Sequence, residues 1–177
     1  MYEIPQPQHF PKCNICLQAK SKRHALTTRA WPLHDAPSPG YAIAWDHSGA
    51  YRHRTWGGHS ILSLKVDLFS LKLFAKLVAT TANCHLEWES FIKITGTHFG
   101  HPTISRFVTD NAPYFDSNAM REVNNRHGVV HVPLPSYTQE LNPAERQLAI
   151  VHQVCRANML QSNAPTAASG ECLMAAC

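Results

Sequence analysis

The sequence lacks any apolar run approaching the ~18–20 residues that cross a bilayer, so no membrane-spanning helix is expected. Its opening stretch, MYEIPQPQHFPK, lacks the apolar segment of a secretory signal, and secretion is not expected. It also lacks a disulfide framework: of six Cys only Cys13 and Cys16 form a spaced pair, while Cys84, Cys155, Cys172 and Cys177 stand alone. Charge is scarce, at 16% of residues, and the balance is only +4, too weak by itself to prove a polyanion partner. The twelve His are scattered. There is no internal repeat, and no Ser or Cys nucleophile stands with a neighbouring base. What is present is enough for one core: 177 residues, of which 44% are hydrophobic.

Residues 1–24 carry the Cys pair followed by Lys20, Lys22, Arg23 and His24. Residues 25–40, ALTTRAWPLHDAPSPG, hold three Pro and a Gly without periodicity and read as a linker. Periodicity starts near Tyr41. Strands are expected over 41–49, 59–70 and 71–81, the last two as a hairpin turning near Phe69 and Ser70. In the second strand Ile61, Ser63 and Lys65 alternate with Leu62, Leu64 and Val66. A helix over 84–100 places Leu86, Phe91 and Ile94 on one face. A strand over 103–110 ends at Asp110, a helix over 115–127 stops at Gly128, and VVHVPL is a short fifth strand before Pro135. Asn142 and Pro143 then open a long helix to about Leu160. The order β-β-β-α-β-α-β-α predicts an α/β domain with a mixed five-stranded sheet.

Among only twelve acids, three sit oddly. Glu87, Glu89 and Glu122 read as helix surface. Asp46 lies at the edge of an apolar strand; either it faces water, or it is buried and needs a cation or partner. Asp110 ends a strand, where ligands of α/β sheets gather, although Asp-Asn is also a good turn. Glu145 is the third residue of a helix, where it serves as a dipole-stabilising residue in any protein. Together, two strand-end Asp and a helix-start Glu can converge on a pair of divalent cations, with hard oxygen donors suiting Mg²⁺ or Mn²⁺. Such a pair activates water or a 3′-hydroxyl for in-line phosphoryl displacement.

An ordered series of short blocks resembles the integrases of copia-type LTR retrotransposons. Tyr137-Thr138-Gln139-Glu140-Leu141-Asn142-Pro143-Ala144-Glu145-Arg146 resembles their PYTPQQNGVAER block, and His127-Gly128-Val129-Val130-His131 the HGIxH before it. Thr109-Asp110-Asn111 is similar to their SDNGGEF, Val66-Asp67-Leu68-Phe69-Ser70 to (I/V)DDFSR, and Trp45-Asp46-His47-Ser48-Gly49 to HTDLxGP. Cys13-x-x-Cys16 with Ala19-Lys20 and Lys22-Arg23 resembles the end of their N-terminal zinc module, and the closing ASGECLMAAC their FWGEAVxTA helix.

The resemblance implies an RNase H-like fold over 41–164, a zinc-module remnant over 1–24, a linker over 25–40 and the start of a C-terminal extension over 165–177. It implies a catalytic D, D, E set on Asp46, Asp110 and Glu145 with two Mg²⁺ or Mn²⁺ ions, and it makes Asp67 a hairpin residue. It implies a polynucleotidyl transferase that cuts and joins DNA, acting on element cDNA ends and target DNA in the nucleus or a cytoplasmic particle, and homo-oligomeric in the longer polyprotein of which this is a piece. The alternative is a non-catalytic nucleic-acid-binding remnant.

Several positions depart from the pattern. The 34 residues between Asp110 and Glu145 (111 to 144) are one fewer than usual in the family, and Ala112-Pro113 replaces the glycines after Asp-Asn, which is expected to stiffen that loop. Only Cys13, Cys16 and at best His9 are available for zinc, short of four ligands, so intrinsic zinc binding is not expected. Candidate DNA contacts are Lys20, Lys22, Arg23, Asn142 and Arg146, with Arg52, His53, Arg54 and Arg156 as further cations. Trp56 and Tyr114 are aromatic and suit either base stacking or packing.

Overall fold

The computed structural model describes Ile15 and residues 36–51, 54–99, 104–134 and 142–177, with side chains to 95 in the helix that reaches Phe99. Its elements are β1 (Ala42–His47), β2 (Ile61–Asp67), β3 (Leu73–Val78), α1 (Cys84–Phe99), β4 (Arg106–Thr109), α2 (Asn118–His127), β5 (Val130–Pro133), α3 (Pro143–Ser162) and, after a 3₁₀ turn (Thr166–Ala168), α4 (Ser169–Ala175). The strands form one mixed sheet in the order β3-β2-β1-β4-β5. β1–β2 and β2–β3 are antiparallel, while β1–β4 and β4–β5 are parallel. This is the mixed five-stranded α/β sheet expected from the alternation of strands and helices.

The β2–β3 hairpin is built around Asp67. It is fully buried, and its carboxylate accepts from the backbone N–H of Gly40 (2.8 Å) and of Ser70 (2.8 Å). Leu71 closes the turn at φ +58°, a left-handed conformation that costs a side chain about 1 kcal/mol or more. Its N–H donates to the Asp67 carbonyl at 2.8 Å. Asp67 is thus a structural turn residue.

Each face of the sheet has its own core. On one, Ile43, Trp45 and Phe107 meet Trp88 of α1, Met120 and Val123 of α2, and Phe115. On the other, Ala42, Ala44 and Val108 meet Ala144 of α3, while Leu62 and Leu64 meet Leu148, Val151 and Cys155 of α3 and Leu173 of α4. Ala42, Ala44 and Ala144 are all at most 2% exposed, and these small side chains let the start of α3 lie close over β1. Leu173 shares that core, so no break in packing separates 165–177 from the domain before it. Gly170 allows this approach: a Cβ there would lie 2.8 Å from the Thr55 side chain.

Two expectations need correction. Leu86 (55% exposed) and Ile94 (65% exposed) face solvent; α1 buries Cys84, Trp88, Ile92 and Thr95, a 4-4-3 spacing centred on its largest ring. α2 starts at Asn118 rather than 115, because Ser117 caps it by accepting from Met120 N–H (3.3 Å) while Phe115 turns into the core. In β2 both halves of the alternation are buried, Ser63 and Lys65 under α1.

That buried polar set explains why Glu87 is not a surface acid. Glu87 pairs with Lys65 and accepts from Ser63 Oγ (2.6 Å), and Ser63 Oγ accepts from Trp45 Nε1 (2.8 Å) and Lys65 Nζ (3.1 Å). Lys65 Nζ also lies 3.9 Å from the Trp45 ring centre, a desolvated cation–π contact. Burial lowers the Lys65 ammonium to about 8, with the Glu87 carboxylate opposing that shift. Removing one partner strands a buried charge. Glu87→Ala is expected to cost about 3–5 kcal/mol in urea unfolding, and Lys65→Met with Glu87→Leu to recover most of it.

Candidate active site

The parallel pairing of β1 and β4 runs Ala42↔Arg106, Ile43↔Phe107, Ala44↔Val108. Asp46 lies two residues beyond the end of that ladder in β1, and Asp110 directly follows the last residue of β4. Side chains alternate along β1, so Asp46 follows Ala42 and Ala44 towards the α3 face. Glu145 is the third residue of α3, next to buried Ala144, and the helix start is fixed by Asn142 and Pro143. Asp46, Asp110 and Glu145 are each half-buried.

Their charges act on one another. Burial, opposed by the His47 N–H bonded at 2.8 Å and aided by the charges of Asp110 and Glu145, pushes the Asp46 carboxyl up to about 7. Burial and the Asp110 charge raise Glu145. The Asp110 side chain accepts from Ala112 N–H at 3.2 Å. Among the described residues, no three His, Cys, Asp or Glu side chains are drawn together tightly enough to hold an ion as they stand. The three carboxylates therefore share a field but not a closed shell. The donor set, all oxygen and mutually repelling, fits a hard divalent cation, which would offset the burial and the repulsion that raise Asp46 and Glu145.

Next to them in the chain, His47 packs against Phe115 (ring centres 5.4 Å) and Tyr114 (5.3 Å), and burial lowers it to about 4, so it is neutral at pH 7. Burial, then the charges of Asp110 and Asp46, push the Tyr114 hydroxyl well up, so it stays protonated beside the carboxylates. The Ala112-Pro113 loop closes as a turn, with the Phe115 N–H donating to the Ala112 carbonyl at 3.0 Å.

The other expected site residues fare differently. Asn142 is 1% exposed and caps α3 by accepting from the Ala144 N–H at 3.0 Å, so here it is part of the helix start and not of the surface. Arg146 is half-buried beside Glu145, while Arg54, Arg156 and Trp56 are exposed. Cys13, Cys16, Lys20, Lys22, Arg23, Arg52 and His53 lie outside the described residues.

No family model matches the chain, and no curated protein matches it. Solved structures do. A chain of the simian T-cell lymphotropic virus intasome in complex with PP2A regulatory subunit B56 gamma superposes with a TM-score of 0.59 at 20% identity. That match covers 78% of this chain but 47% of the viral one, so this chain spans less than half the length of that relative. The HTLV-2 integrase catalytic core domain in complex with magnesium superposes with TM-scores of 0.54 in its trimeric form (19% identity, 78% of this chain, 82% of that one) and 0.51 in its dimeric form (21%, 76%, 84%). The fold is therefore that of the integrase catalytic core, the RNase H-like architecture.

The raised Asp46 carboxyl has a signed consequence. Its folded pKa of about 7 exceeds the ordinary 3.8, so the folded state holds a proton that the unfolded state has released. Metal-free stability therefore falls as pH rises from about 4 to about 7. Asp46→Asn is expected to be more stable than the parent by about 2–4 kcal/mol near pH 8, with the gap closing towards pH 4, as read by urea unfolding without divalent ions.

Proposed function

We propose that this chain is the catalytic core of a copia-type retrotransposon integrase, a polynucleotidyl transferase that cuts and joins DNA strands. Asp46, Asp110 and Glu145 would hold two Mg²⁺ or Mn²⁺ ions. The observation that supports the reading is that Asp46 and Asp110 lie just past the last β1–β4 pair and that the charges of Asp110 and Glu145 both act on Asp46. Two ions held there supply activation of a water or 3′-hydroxyl and stabilisation of the leaving oxygen. The chain's own part is to bring three carboxylates to one edge, to keep them partly dry beside Ala144 and Tyr114, and to present Arg146 beside Glu145. Similarity to a core domain solved with magnesium supports the choice of ion. DNA would be held through phosphates, with Lys20, Lys22, Arg23 and Arg146 as cations and Asn142 acting through the helix cap. Cys13 and Cys16 alone are an incomplete zinc set. Assembly as a homo-oligomer on DNA, in the nucleus or a cytoplasmic particle, follows from the same reading.

A second reading, a remnant that binds nucleic acid without cutting it, is favoured by one observation: no three donors are gathered as they stand among the described residues. Incubation with duplex DNA and Mg²⁺ or Mn²⁺ separates the two. Nicking or strand transfer that falls to background in Asp110→Asn is expected. Activity indifferent to Asp110→Asn would overturn the proposal, and salt-sensitive binding without turnover would select the remnant.

A further inference from the structure

Glu145 can serve with Asp46 only if α3 is held in place along and about its axis, because it sits in the first turn of a 20-residue helix. The start of α3 rests on β1 through small side chains, Ala42 and Ala44 against Ala144, and further along Leu148, Val151 and Cys155 pack on Leu62 and Leu64. A directional polar contact adds to this apolar packing. Tyr51 Oη lies 2.6 Å from His152 Nε2, with the two rings edge-to-face at 5.7 Å. His152 is seven residues beyond Glu145, two turns along the same helix face and about 10 Å away.

Tyr51 belongs to the segment that follows Asp46, and this segment is itself pinned. Ser48, two residues after Asp46, exchanges two hydrogen bonds with Leu62: its N–H donates to the Leu62 carbonyl and its Oγ accepts from the Leu62 N–H, both at 2.8 Å. Tyr51 N–H then donates to the Ser60 carbonyl at 2.7 Å. Burial keeps His152 low, with the Arg156 charge adding to this, and burial keeps the Tyr51 hydroxyl up, the Ser48 hydroxyl beside it opposing. At neutral pH the bond therefore joins a protonated phenol and a neutral imidazole.

Resting on the carboxylate reading above, we infer that the Tyr51–His152 hydrogen bond is a tie between the strand that carries Asp46 and the helix that carries Glu145, and that both are positioning residues for divalent-ion binding. Their hydroxyl and ring touch neither ion nor substrate; they fix where the third carboxylate stands.

The test uses the full chain, Mg²⁺ or Mn²⁺ alone as probe, and two readouts. Calorimetric titration gives the ion affinity, with Asp110→Asn as the control that defines carboxylate-bound ion. Hydrogen exchange without metal gives the protection of the first turn of α3. Tyr51→Phe and His152→Leu are each expected to weaken ion binding about three- to tenfold, the size of one hydrogen bond. The double variant should lose no more than either single one, and His152→Gln, which keeps an acceptor, should restore near-parental affinity. Exchange should quicken in the first turn of α3 in both single variants.

Additive losses, or parental affinity and exchange in Tyr51→Phe, would overturn the tie while leaving the carboxylate reading intact. A parent chain with no Asp110-dependent ion binding would overturn the carboxylate reading and the positioning role with it, and exchange would then report the tie as purely architectural. A variant that melts early is replaced by His152→Gln with Tyr51→Phe, which preserves volume and still loses the donor.

Discussion

The pairing of β1 with β4 is the constraint on which the rest depends. The two strands share a parallel contact of three registered pairs, and a shift of one residue would turn every side chain of one strand to the opposite face. Nothing local fixes that register. It is set by what each strand buries: Ile43 and Phe107 in the aromatic core on one side, Ala44 and Val108 against α3 on the other. Two cores of different texture, bulky under α1 and α2 and small under the start of α3, therefore choose the pairing between them.

The two faces also divide the electrostatic work. On the α3 side, like charges are held together half-buried, an arrangement that costs the fold stability until something cationic joins it. On the α1 side, opposite charges are buried together, with Lys65, Glu87, Ser63 and the Trp45 indole bonded into one set. Trp45 and Asp46 are neighbours in β1, one anchored in the satisfied network and the other exposed to the unsatisfied one. The strand that must tolerate repulsion at its end is held rigidly one residue earlier.

Much of this was legible in the sequence. The order of elements, the turn at Ser70, the stop at Gly128 and the Asn142-Pro143 helix start all follow from local signals, because caps, turns and prolines act within a few residues. The three acids stood out by type and by position at element ends, and the charges of Asp110 and Glu145 act on Asp46. What was not legible depends on partners remote in the chain. Lys65 in an alternating strand carries no sign of burial until α1 is laid across it, and Glu87 reads as surface until Lys65 is beneath it. The buried face of α1 is set by Trp88 fitting against Trp45 and Phe107, whose rings lie 5.7 and 4.4 Å from it, and not by the count of apolar residues. Asn142 carries a DNA role by resemblance, and in the fold its side-chain oxygen caps its own helix.

The short closing helix has a consequence for anyone trimming this protein. Leu173 covers Leu62 and Leu64 on the outer half of the sheet, and Gly170 sits hard against Thr55 in the same segment as Tyr51. Ending the chain at 164, where sequence blocks alone would draw the border, would uncover a greasy strand face beside an unpaired sheet edge at β3. Such a shortened polypeptide would be prone to clumping, and a failure to turn over substrate would then say nothing about its acids.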